Sequence, residues 1–252
     1  YLAWMNHAVW AEDIPPSHAR RIRARYYGSI AFLDQCIGRL LDAVEARPDA
    51  ANTLICFFSD HGDHLGDHRA WQKESFFEAS CRVPLLVSWP ARLPAGRRHA
   101  GLAALTDLFG LATSAAGAPE LRDGGDLLAA LRGEGPGRDV VLGVFGSPGT
   151  RHFKCMVRRD DWKYVWLANG GRELLFNLRA DPGESRDFAA SAPDVLAALR
   201  AEAVRSLAAR PLSAPAVADG ALKALPFAPF PRTRIRQFAR GVTDFGQPAA
   251  PR

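Results

Sequence analysis

One stretch, residues 53–90 (TLICFFSDHGDHLGDHRAWQKESFFEASCRVPLLVSWP), constrains the fold of this chain more than any other. It begins with an apolar run at residues 54–58 and ends with a second one at residues 83–89. Short apolar runs bounded by polar residues are typical of buried strands. The stretch therefore predicts two strands joined by a polar loop. A strand that is apolar at nearly every position favours a parallel sheet covered by helices.

The loop between these predicted strands contains three Asp-His pairs and one lysine, which are Asp60-His61, Asp63-His64, Asp67-His68 and Lys73. In open α/β sheets ligands bind outside the carboxyl ends of the strands, so this loop lies where a ligand site is expected. Several carboxylates and imidazoles in one short loop repel each other or bury poorly unless an ion gathers them. The loop therefore predicts a site for a divalent cation.

Asp60 and His61 are the strongest candidate metal ligands. Asp60 follows the first predicted strand directly, and Gly62 allows the chain to turn sharply behind the pair. A carboxylate suits Ca²⁺, Mg²⁺ or Mn²⁺, and an imidazole admits Mn²⁺ or Zn²⁺. Two ligands do not complete a site, so the others have to come from elsewhere in the fold. A hydrogen-bonded polar turn without a metal is the alternative interpretation.

Lys73 is a candidate for catalysis and for binding an anionic substrate. It lies between Trp71 and the Phe76-Phe77 pair, which is an unusual place for a solvated cation. An ammonium held against aromatic walls would stabilise the charge that grows on a sulfate or phosphate ester during hydrolysis. The alternative is a surface lysine whose stem covers the aromatic rings.

The other polar residues of the loop are more ambiguous. His64 and His68 could line the same pocket, bind substrate or donate a proton, and each could equally be a structural loop histidine. Asp63 and Asp67 are expected to cap turns rather than to bind metal. The substrate-binding candidates are therefore Lys73, His68 and His64.

The rest of the chain predicts further helices and a second sheet. An apolar stripe after Ser17, a candidate N-cap, indicates a long helix that ends by Pro48, and residues 102–116 indicate another helix. Four apolar runs with hairpin-like connections predict a small antiparallel sheet, at residues 140–145, 154–158, 162–167 and 173–178. Residues 194–209 predict a helix that packs across this sheet.

The predicted fold class is therefore α/β, with a mostly parallel sheet flanked by helices, followed by a small antiparallel sheet with a packed C-terminal helix. Residues 1–120 are expected to form the α/β part and residues 121–210 a small α+β subdomain. Residues 211–252 are rich in proline and predict an extended basic tail.

Charge and composition argue against some classes of function. The net charge of +5 comes from residues 223–252, which contain six cations and one anion, whereas the rest of the chain contains 26 of each sign. A neutral body gives no reason to expect nucleic acid, although the tail could touch an acidic surface. No apolar run approaches the roughly 20 residues of a membrane helix. Four scattered cysteines form no disulfide framework, which favours a reducing compartment.

The segments SDHGDHLGDHRAWQK and RVPLLVSWP together resemble the second half of the sulfatase family, within the alkaline phosphatase superfamily. YYGSIAFLDQCIGRLLDAVE is similar to the family's helix before its metal-binding strand, and TDLFGLATSAAGAP to the helix that follows. MVRRDDWKYVW, ELLFNL and DPGESRDFA resemble the family's small C-terminal sheet. The resemblance covers residues 20–190 and implies a hydrolase of sulfate monoesters.

The resemblance also implies roles for three residues. Asp60 matches the family's metal-binding aspartate. His61 matches the neighbouring ligand, which is Asn in many arylsulfatases and His in others and in phosphonate monoester hydrolases. Lys73 matches the lysine that contacts the anionic group of the ester. The metal is expected to be Ca²⁺, and the histidine at position 61 leaves Mn²⁺ and Zn²⁺ open.

One part of the family's site has no counterpart in this sequence. The family nucleophile is a Cys or Ser in C/S-x-P-S/T-R that is converted to formylglycine, and neither this motif nor the family's N-terminal Asp-Asp pair occurs here. Residues 147–151 (SPGTR) come close but are expected to be a loop. The chain is therefore expected to be a C-terminal portion of a sulfatase-like hydrolase, inactive alone, with formylglycine in a missing N-terminal part.

Two other hypotheses remain open at this point. A phosphonate monoester or phosphodiester hydrolase of the same superfamily is compatible with His61. Alternatively, the chain is a non-catalytic protein that binds an anion or a partner. Reaction rates on matched sulfate and phosphate esters separate the first of these from a sulfatase, and the DNA upstream of the Tyr1 codon tests the second.

Overall fold

The computed structural model describes residues 14–120, 122–135 and 137–229, together with the backbone of two short strands nearer the C-terminus. The chain divides into two compact units. The first unit comprises the described residues of 1–23, 61–82 and 142–252, and the second comprises those of 24–60 and 83–141. The three domains expected from the sequence remain a prediction.

The helices and strands predicted from the apolar patterns are all present. The helix predicted at residues 102–116 changes most, because it begins only at Asp107. In chain order the elements are α1 (Pro16–Glu45), β1 (Ile55–Phe58), α2 (Glu78–Cys81), β2 (Leu85–Ser88), α3 (Asp107–Ala115), α4 (Leu127–Arg132), β3 (Val140–Phe145), β4 (Lys154–Arg159), β5 (Trp162–Leu167), β6 (Arg172–Asn177), α5 (Pro193–Ala208), β7 (Val217–Ala218), β8 (Ala221–Leu222), β9 (Val242–Asp244) and β10 (Gln247–Pro248). Because α1 begins at Pro16, Ser17 lies inside the helix and is not its N-cap.

The second unit contains the strand pair β1–β2, which corrects one prediction. The α/β class is confirmed, but the pair is antiparallel, with Ile55 opposite Ser88 and Phe58 opposite Leu85. A mostly parallel sheet is therefore not confirmed. An apolar run indicates burial and carries no information about the direction of the neighbouring strand. Moreover, Phe57 and Phe58 at the end of β1 are exposed rather than covered by helices.

The core of the second unit lies between this strand pair and two short helices. Its buried residues are Trp89, Leu111, Leu127 and Leu128, against which Leu54, Cys56, Leu85 and Val87 pack. Asp107 is buried at the start of α3, where its carboxylate accepts from the backbone N–H of Ala104 and of Gly125 and pairs with Arg138. These contacts fix the helices to the loops around them, and none of them involves the candidate site.

The first unit contains the four-stranded sheet, in the order β3-β4-β5-β6. The pairs β4–β5 and β5–β6 are antiparallel hairpins, as predicted. Helix α5 packs on one face of the sheet, where Arg200 pairs with Glu173 of β6. Side chains alternate between faces along a strand. Phe176 of β6 therefore points to the opposite face, where it packs against Phe77 of the loop at residues 61–82.

Part of the predicted tail is folded. Residues 217–222 form the hairpin β7–β8, and β9 pairs with β10. The remaining tail cations after Lys223 lie outside the described residues. Within the part of the chain that the structure describes, no helix is both long and apolar enough to cross a membrane.

Candidate metal and anion site

His61 and Lys73 meet in the loop that follows β1. The Nδ1 atom of His61 lies 2.8 Å from the carbonyl oxygen of Gly62. A carbonyl oxygen can only accept a hydrogen bond, so Nδ1 carries the proton and Nε2 keeps its lone pair. The ammonium of Lys73 donates to that Nε2 at 2.5 Å. The loop thus brings together two of the three residues for which a common site was predicted.

Asp60, the third of these residues, follows Ser59 at the end of β1 and is exposed. It is the chain neighbour of His61. Across residues 14–229, as far as they are described, no group of three or more His, Cys, Asp or Glu side chains is placed to hold a metal ion. Asp60 and His61 therefore stay a predicted pair of ligands that needs further donors.

The chemistry of this pair suits a divalent cation. The Asp60 carboxylate is a hard oxygen donor. His61 has the arrangement common for metal-bound imidazoles, because one ring nitrogen donates to a backbone carbonyl and the other presents its lone pair. One lone pair cannot bind an ammonium and a metal ion at the same time. Cation binding at His61 and the hydrogen bond from Lys73 therefore exclude each other.

Gly62 fixes the start of the loop. A Cβ atom at this position would lie 2.1 Å from the carbonyl oxygen of Ala79, which no side chain can tolerate. The close approach lets the Gly62 N–H donate to the carbonyl of Ser80 at 2.7 Å. The two ends of the loop are thereby joined directly behind His61. The glycine that the sequence marked as a sharp turn is required for close packing of two backbone segments.

The middle of the loop has an unusual backbone. Leu65, His68, Arg69 and Gln72 all have positive φ angles between 49° and 67°. Each such non-glycine residue costs on the order of 1 kcal/mol or more, and such residues cluster at functional sites. Backbone strain of this kind persists only where surrounding contacts hold it in place.

Three side chains make such contacts, at residues 65 and 68. The carboxylate of Asp63 accepts from the N–H of Leu65 at 2.8 Å, and that of Asp67 accepts from the N–H of His68 at 3.0 Å. Asp63 accepts from the N–H two residues ahead and so caps a turn, as predicted. Asp67 bonds only the N–H of its neighbour, and its predicted role as a turn cap stays a prediction. Arg23 of α1 donates from Nε to the carbonyl of Leu65 at 2.6 Å.

His64 lies in the interior of the loop. It is buried, and its Nε2 atom lies 2.7 Å from the hydroxyl of Ser75. Burial, and to a smaller extent the neighbouring His68, lowers the pKa of His64 to about 4. The imidazole is therefore neutral at pH 7. This position agrees with the structural interpretation of His64, and the role in substrate binding stays a prediction.

His68 is stacked on Phe77, with ring centroids 3.7 Å apart and an interplanar angle of 4°. Its Nε2 atom lies 3.9 Å from the carboxylate of Asp67, and a small part of the side chain remains accessible. The ring is thus fixed by an aromatic neighbour that belongs to the packing against the sheet. Its predicted contact with substrate also stays a prediction.

The sequence contains a second segment that is close to the nucleophile motif of the family. Residues 88–92 (SWPAR) differ from C/S-x-P-S/T-R only by alanine in the fourth position. Ser88 is the last residue of β2 and pairs with Ile55, the first residue of β1, whereas Asp60 follows the far end of β1. Asp60 lies five positions beyond Ile55, which is roughly 16 Å for an extended chain. Ser88 therefore lies at the wrong end of the strand pair to serve Asp60.

Two buried lysines behind the loop were also not singled out from the sequence. Lys154 of β4 and Lys163 of β5 donate to backbone carbonyls of residues 74 and 76. A lysine at an inward position of an otherwise apolar strand, as in WKYVW, is a signal that could have revealed them.

Comparisons with known proteins agree on one family. The family model for Sulfatase matches residues 5–118. Choline-sulfatase of Rhizobium meliloti (strain 1021) is 33% identical over 186 residues, which cover 70% of this chain and 35% of that protein. Arylsulfatase K of Gallus gallus is 31% identical over 199 residues, which cover 74% of this chain and 37% of that protein.

One solved structure is similar to this chain both in sequence and in three-dimensional fold. The crystal structure of the phosphonate monoester hydrolase of Agrobacterium radiobacter superposes with a TM-score of 0.67 at 32% identity. The match covers 76% of this chain and 42% of that chain. The present chain thus spans between a third and a half of the length of these three relatives.

Proposed function

The chain belongs to the sulfatase family, and on this premise we propose that it supplies the metal-binding and anion-binding residues of a sulfuric ester hydrolase. The observation that carries this proposal is the hydrogen bond between Lys73 and His61, next to Asp60 in the chain. It brings an ammonium to the imidazole lone pair of the residue that directly follows Asp60 in the sequence.

Asp60 and His61 are the residues of this chain that would hold the metal. A divalent cation, Ca²⁺ in the first instance, would polarise the oxygens of the ester and orient the nucleophile. The bond from His61 Nδ1 to the Gly62 carbonyl keeps Nε2 available for this role. The metal and its identity are part of the proposal, with Mn²⁺ and Zn²⁺ as the alternatives.

Lys73 is the residue that would bind the sulfate group. Its ammonium lies at the imidazole of His61 and is exposed, so it can reach an anion that approaches the same imidazole. A fixed positive charge next to an ester stabilises the negative charge that develops in the transition state. In this scheme Lys73 exchanges its hydrogen bond to His61 for one to a sulfate oxygen.

The nucleophile is proposed to come from residues outside this sequence. No C/S-x-P-S/T-R motif is present, and Ser88 of the SWPAR near-motif lies away from Asp60. We expect the purified 252-residue chain to show no turnover of 4-nitrophenyl sulfate with Ca²⁺ or Mn²⁺. Turnover that is lost in Lys73→Met would contradict this part of the proposal.

Binding of the metal tests the proposal directly. Asp60→Asn should weaken the affinity of the chain for Ca²⁺ or Mn²⁺, measured by isothermal titration calorimetry, by about tenfold or more, which corresponds to 1.4 kcal/mol. Asp194→Asn, an exposed aspartate at the start of α5, serves as the matched control and should leave the affinity unchanged. Equal affinities of the wild type and Asp60→Asn would overturn the metal assignment.

A phosphonate monoester hydrolase is the second candidate function. It is favoured by the imidazole at position 61 and by the 32% identity to the phosphonate monoester hydrolase structure. Titration of the metal-loaded chain with phenyl sulfate and with phenylphosphonate distinguishes the two. We expect tighter binding of phenyl sulfate, and tighter binding of phenylphosphonate would favour the second candidate.

A further inference from the structure

Two lysines of the four-stranded sheet are almost completely buried on the same face. Lys154 of β4 is 3% exposed and Lys163 of β5 is 1% exposed. Lys163 lies opposite Arg158, which is four residues beyond Lys154, so both lysines point to one side of the sheet. This is the face that packs against the loop at residues 61–82, as the contact between Phe77 and Phe176 shows.

Both lysines donate to the backbone of the segment that follows Lys73. The ammonium of Lys154 donates to the carbonyl of Glu74, and that of Lys163 donates to the carbonyl of Phe76 at 2.8 Å. The carbonyl of Lys73 itself accepts from the hydroxyl of Ser80. Three of the four carbonyls from position 73 to position 76 are therefore held by side chains from outside the segment.

Lys163 is held in turn by two carboxylates. It donates to Glu78 Oε1 at 2.6 Å and to Glu184 Oε1 at 2.8 Å. The other oxygen of Glu184 accepts from the backbone N–H of Glu78 at 2.6 Å. Glu184 therefore links the sheet, through Lys163, to the first residue of α2. The network fixes both ends of the segment from Glu74 to Glu78.

Lys154 has a different environment. Its ammonium lies 4.4 Å from the centre of the Phe145 ring, and burial lowers its pKa to about 8, a shift that the charge of Glu74 opposes. Burying a charged group costs free energy that apolar residues of similar size do not cost. Stability alone is therefore a poor explanation for two lysines at positions where methionine would pack.

We propose that Lys154 and Lys163 are positioning residues, which hold the backbone of residues 74–76 so that the ammonium of Lys73 meets Nε2 of His61. We call the hydrogen bonds from Lys154 and Lys163 to the carbonyls of residues 74 and 76 the clamp. These bonds involve neither the Lys73 nor the His61 side chain. They act through the peptide groups that follow Lys73. The importance of the clamp for ester hydrolysis rests on the proposed function, whereas its effect on the Lys73–His61 hydrogen bond does not.

The test is the nitrogen resonance of His61 Nε2 in the complete 252-residue chain, measured by two-dimensional ¹H–¹⁵N NMR of the histidine rings. Lys73→Met gives the reference shift for a ring that has lost its ammonium donor. We expect Lys154→Met to move the resonance at least about halfway to that reference, because an ammonium–imidazole bond weakens steeply with distance and angle.

Removal of Lys163 alone would leave the buried carboxylate of Glu184 without its cation, and the variant could fail to fold. The double variant Lys163→Met/Glu184→Gln avoids this, because Glu78 keeps Arg158 at 3.7 Å. We expect it to shift the His61 resonance in the same direction. Arg200→Met is the matched control, since it removes a cation from the opposite face of the sheet and should leave the resonance in place.

The outcomes separate the clamp from the proposed function. If Lys154→Met and the double variant are folded and keep the wild-type His61 resonance, the clamp is refuted. If Arg200→Met shifts the resonance as far as they do, the effect is one of general stability and the clamp is also refuted. Sulfate binding, titrated with inorganic sulfate on the wild type and Lys73→Met, tests the proposed function separately, and equal affinities would overturn that function alone.

Discussion

At the scale of single residues, His61 determines the chemistry of the candidate site. Its protonated Nδ1 is held by the carbonyl of Gly62, and its Nε2 lone pair is used by Lys73. The sequence places an acid and an imidazole side by side, but it does not say which ring nitrogen faces outward. That choice follows from one backbone carbonyl at 2.8 Å.

The competition between Lys73 and a metal ion gives a prediction at this scale. Lys73→Met should tighten the binding of Mn²⁺ to the chain by about fivefold or more, because a unit positive charge near 4 Å repels another by about 1 kcal/mol even in water. Calorimetric titration of Mn²⁺ measures the effect. Lys223→Met, an exposed lysine near β8, is the control. Weaker binding in Lys73→Met would show that the lysine supports the metal rather than competes with it.

Gly62 gives a second prediction for a single residue. Gly62→Ala places a methyl group against the Ala79 carbonyl, so we expect a loss of about 2 kcal/mol or more in the free energy of unfolding, measured with urea. Gly38→Ala in α1 has open space around the new methyl group and should be neutral or stabilising. Equal stability of the two variants would mean that the loop can move away from residue 79.

At the scale of elements, the loop after β1 is held by the sheet and by its own turns. Burial lowers the pKa of His64, and the charges of His68 and Lys154 lower it further. The charges of Asp63 and Asp67 raise it. The loop is thus an ordered element in which four residues with positive φ are fixed by neighbouring contacts. The fixed conformation of this loop, rather than its amino-acid composition, brings the ammonium of Lys73 to the imidazole of His61.

The lowered pKa of His64 predicts how stability depends on pH. The unfolded chain binds a proton near pH 6.5 and the folded chain only near pH 4, so the unfolded state carries more protons between these values. The stabilisation that the neutral His64 contributes is on the order of 3 kcal/mol. It is complete above pH 6.5 and is lost as the pH falls through about 4.

Urea unfolding at a series of pH values measures this contribution. His64→Gln should flatten the acidic limb of the stability curve, because the group that takes up the proton is gone. His99→Gln, an exposed histidine, should leave the limb unchanged. A slope that is the same in the wild type and in His64→Gln would assign the acidic limb to other groups.

At the scale of the whole molecule, the second unit exposes large apolar side chains. Within its described residues, Phe32 of α1 is 70% exposed and Leu86 of β2 is 63% exposed, together with Tyr27, Leu33 and Leu40. Large exposed apolar side chains promote association between protein molecules. The described part of α1 has no buried residue, although its sequence carries an apolar stripe.

These exposed side chains predict association of the 252-residue chain in solution. The apparent mass from size-exclusion chromatography with light scattering should rise with concentration, and the double variant Phe32→Lys/Leu86→Thr should reduce that rise. Leu212→Ser is the control, because Leu212 is an isolated exposed leucine of the first unit and should not matter. A monodisperse wild-type monomer at high concentration would contradict the prediction.

The sequence by itself determined the helices and strands of this protein and the side chains that are available for chemistry. Periodicity located α1, the four strands of the sheet and α5, because apolar side chains must recur at the period of the element that buries them. The order of residues placed Asp60 and His61 after a strand. The motifs within residues 20–190 carry the resemblance to the sulfatase family.

Only the tertiary structure decided the direction of β2, the tautomer of His61 and the partners of Lys73. Strand direction, ring orientation and the fixing of carbonyls by Lys154 and Lys163 all depend on contacts between residues far apart in the chain. The carbonyls of Glu74 and Phe76 are 80 and 87 positions from their lysines. The local sequence pattern shows which chemistry a residue type allows. Contacts with residues distant in the chain decide which of its atoms remains available for that chemistry.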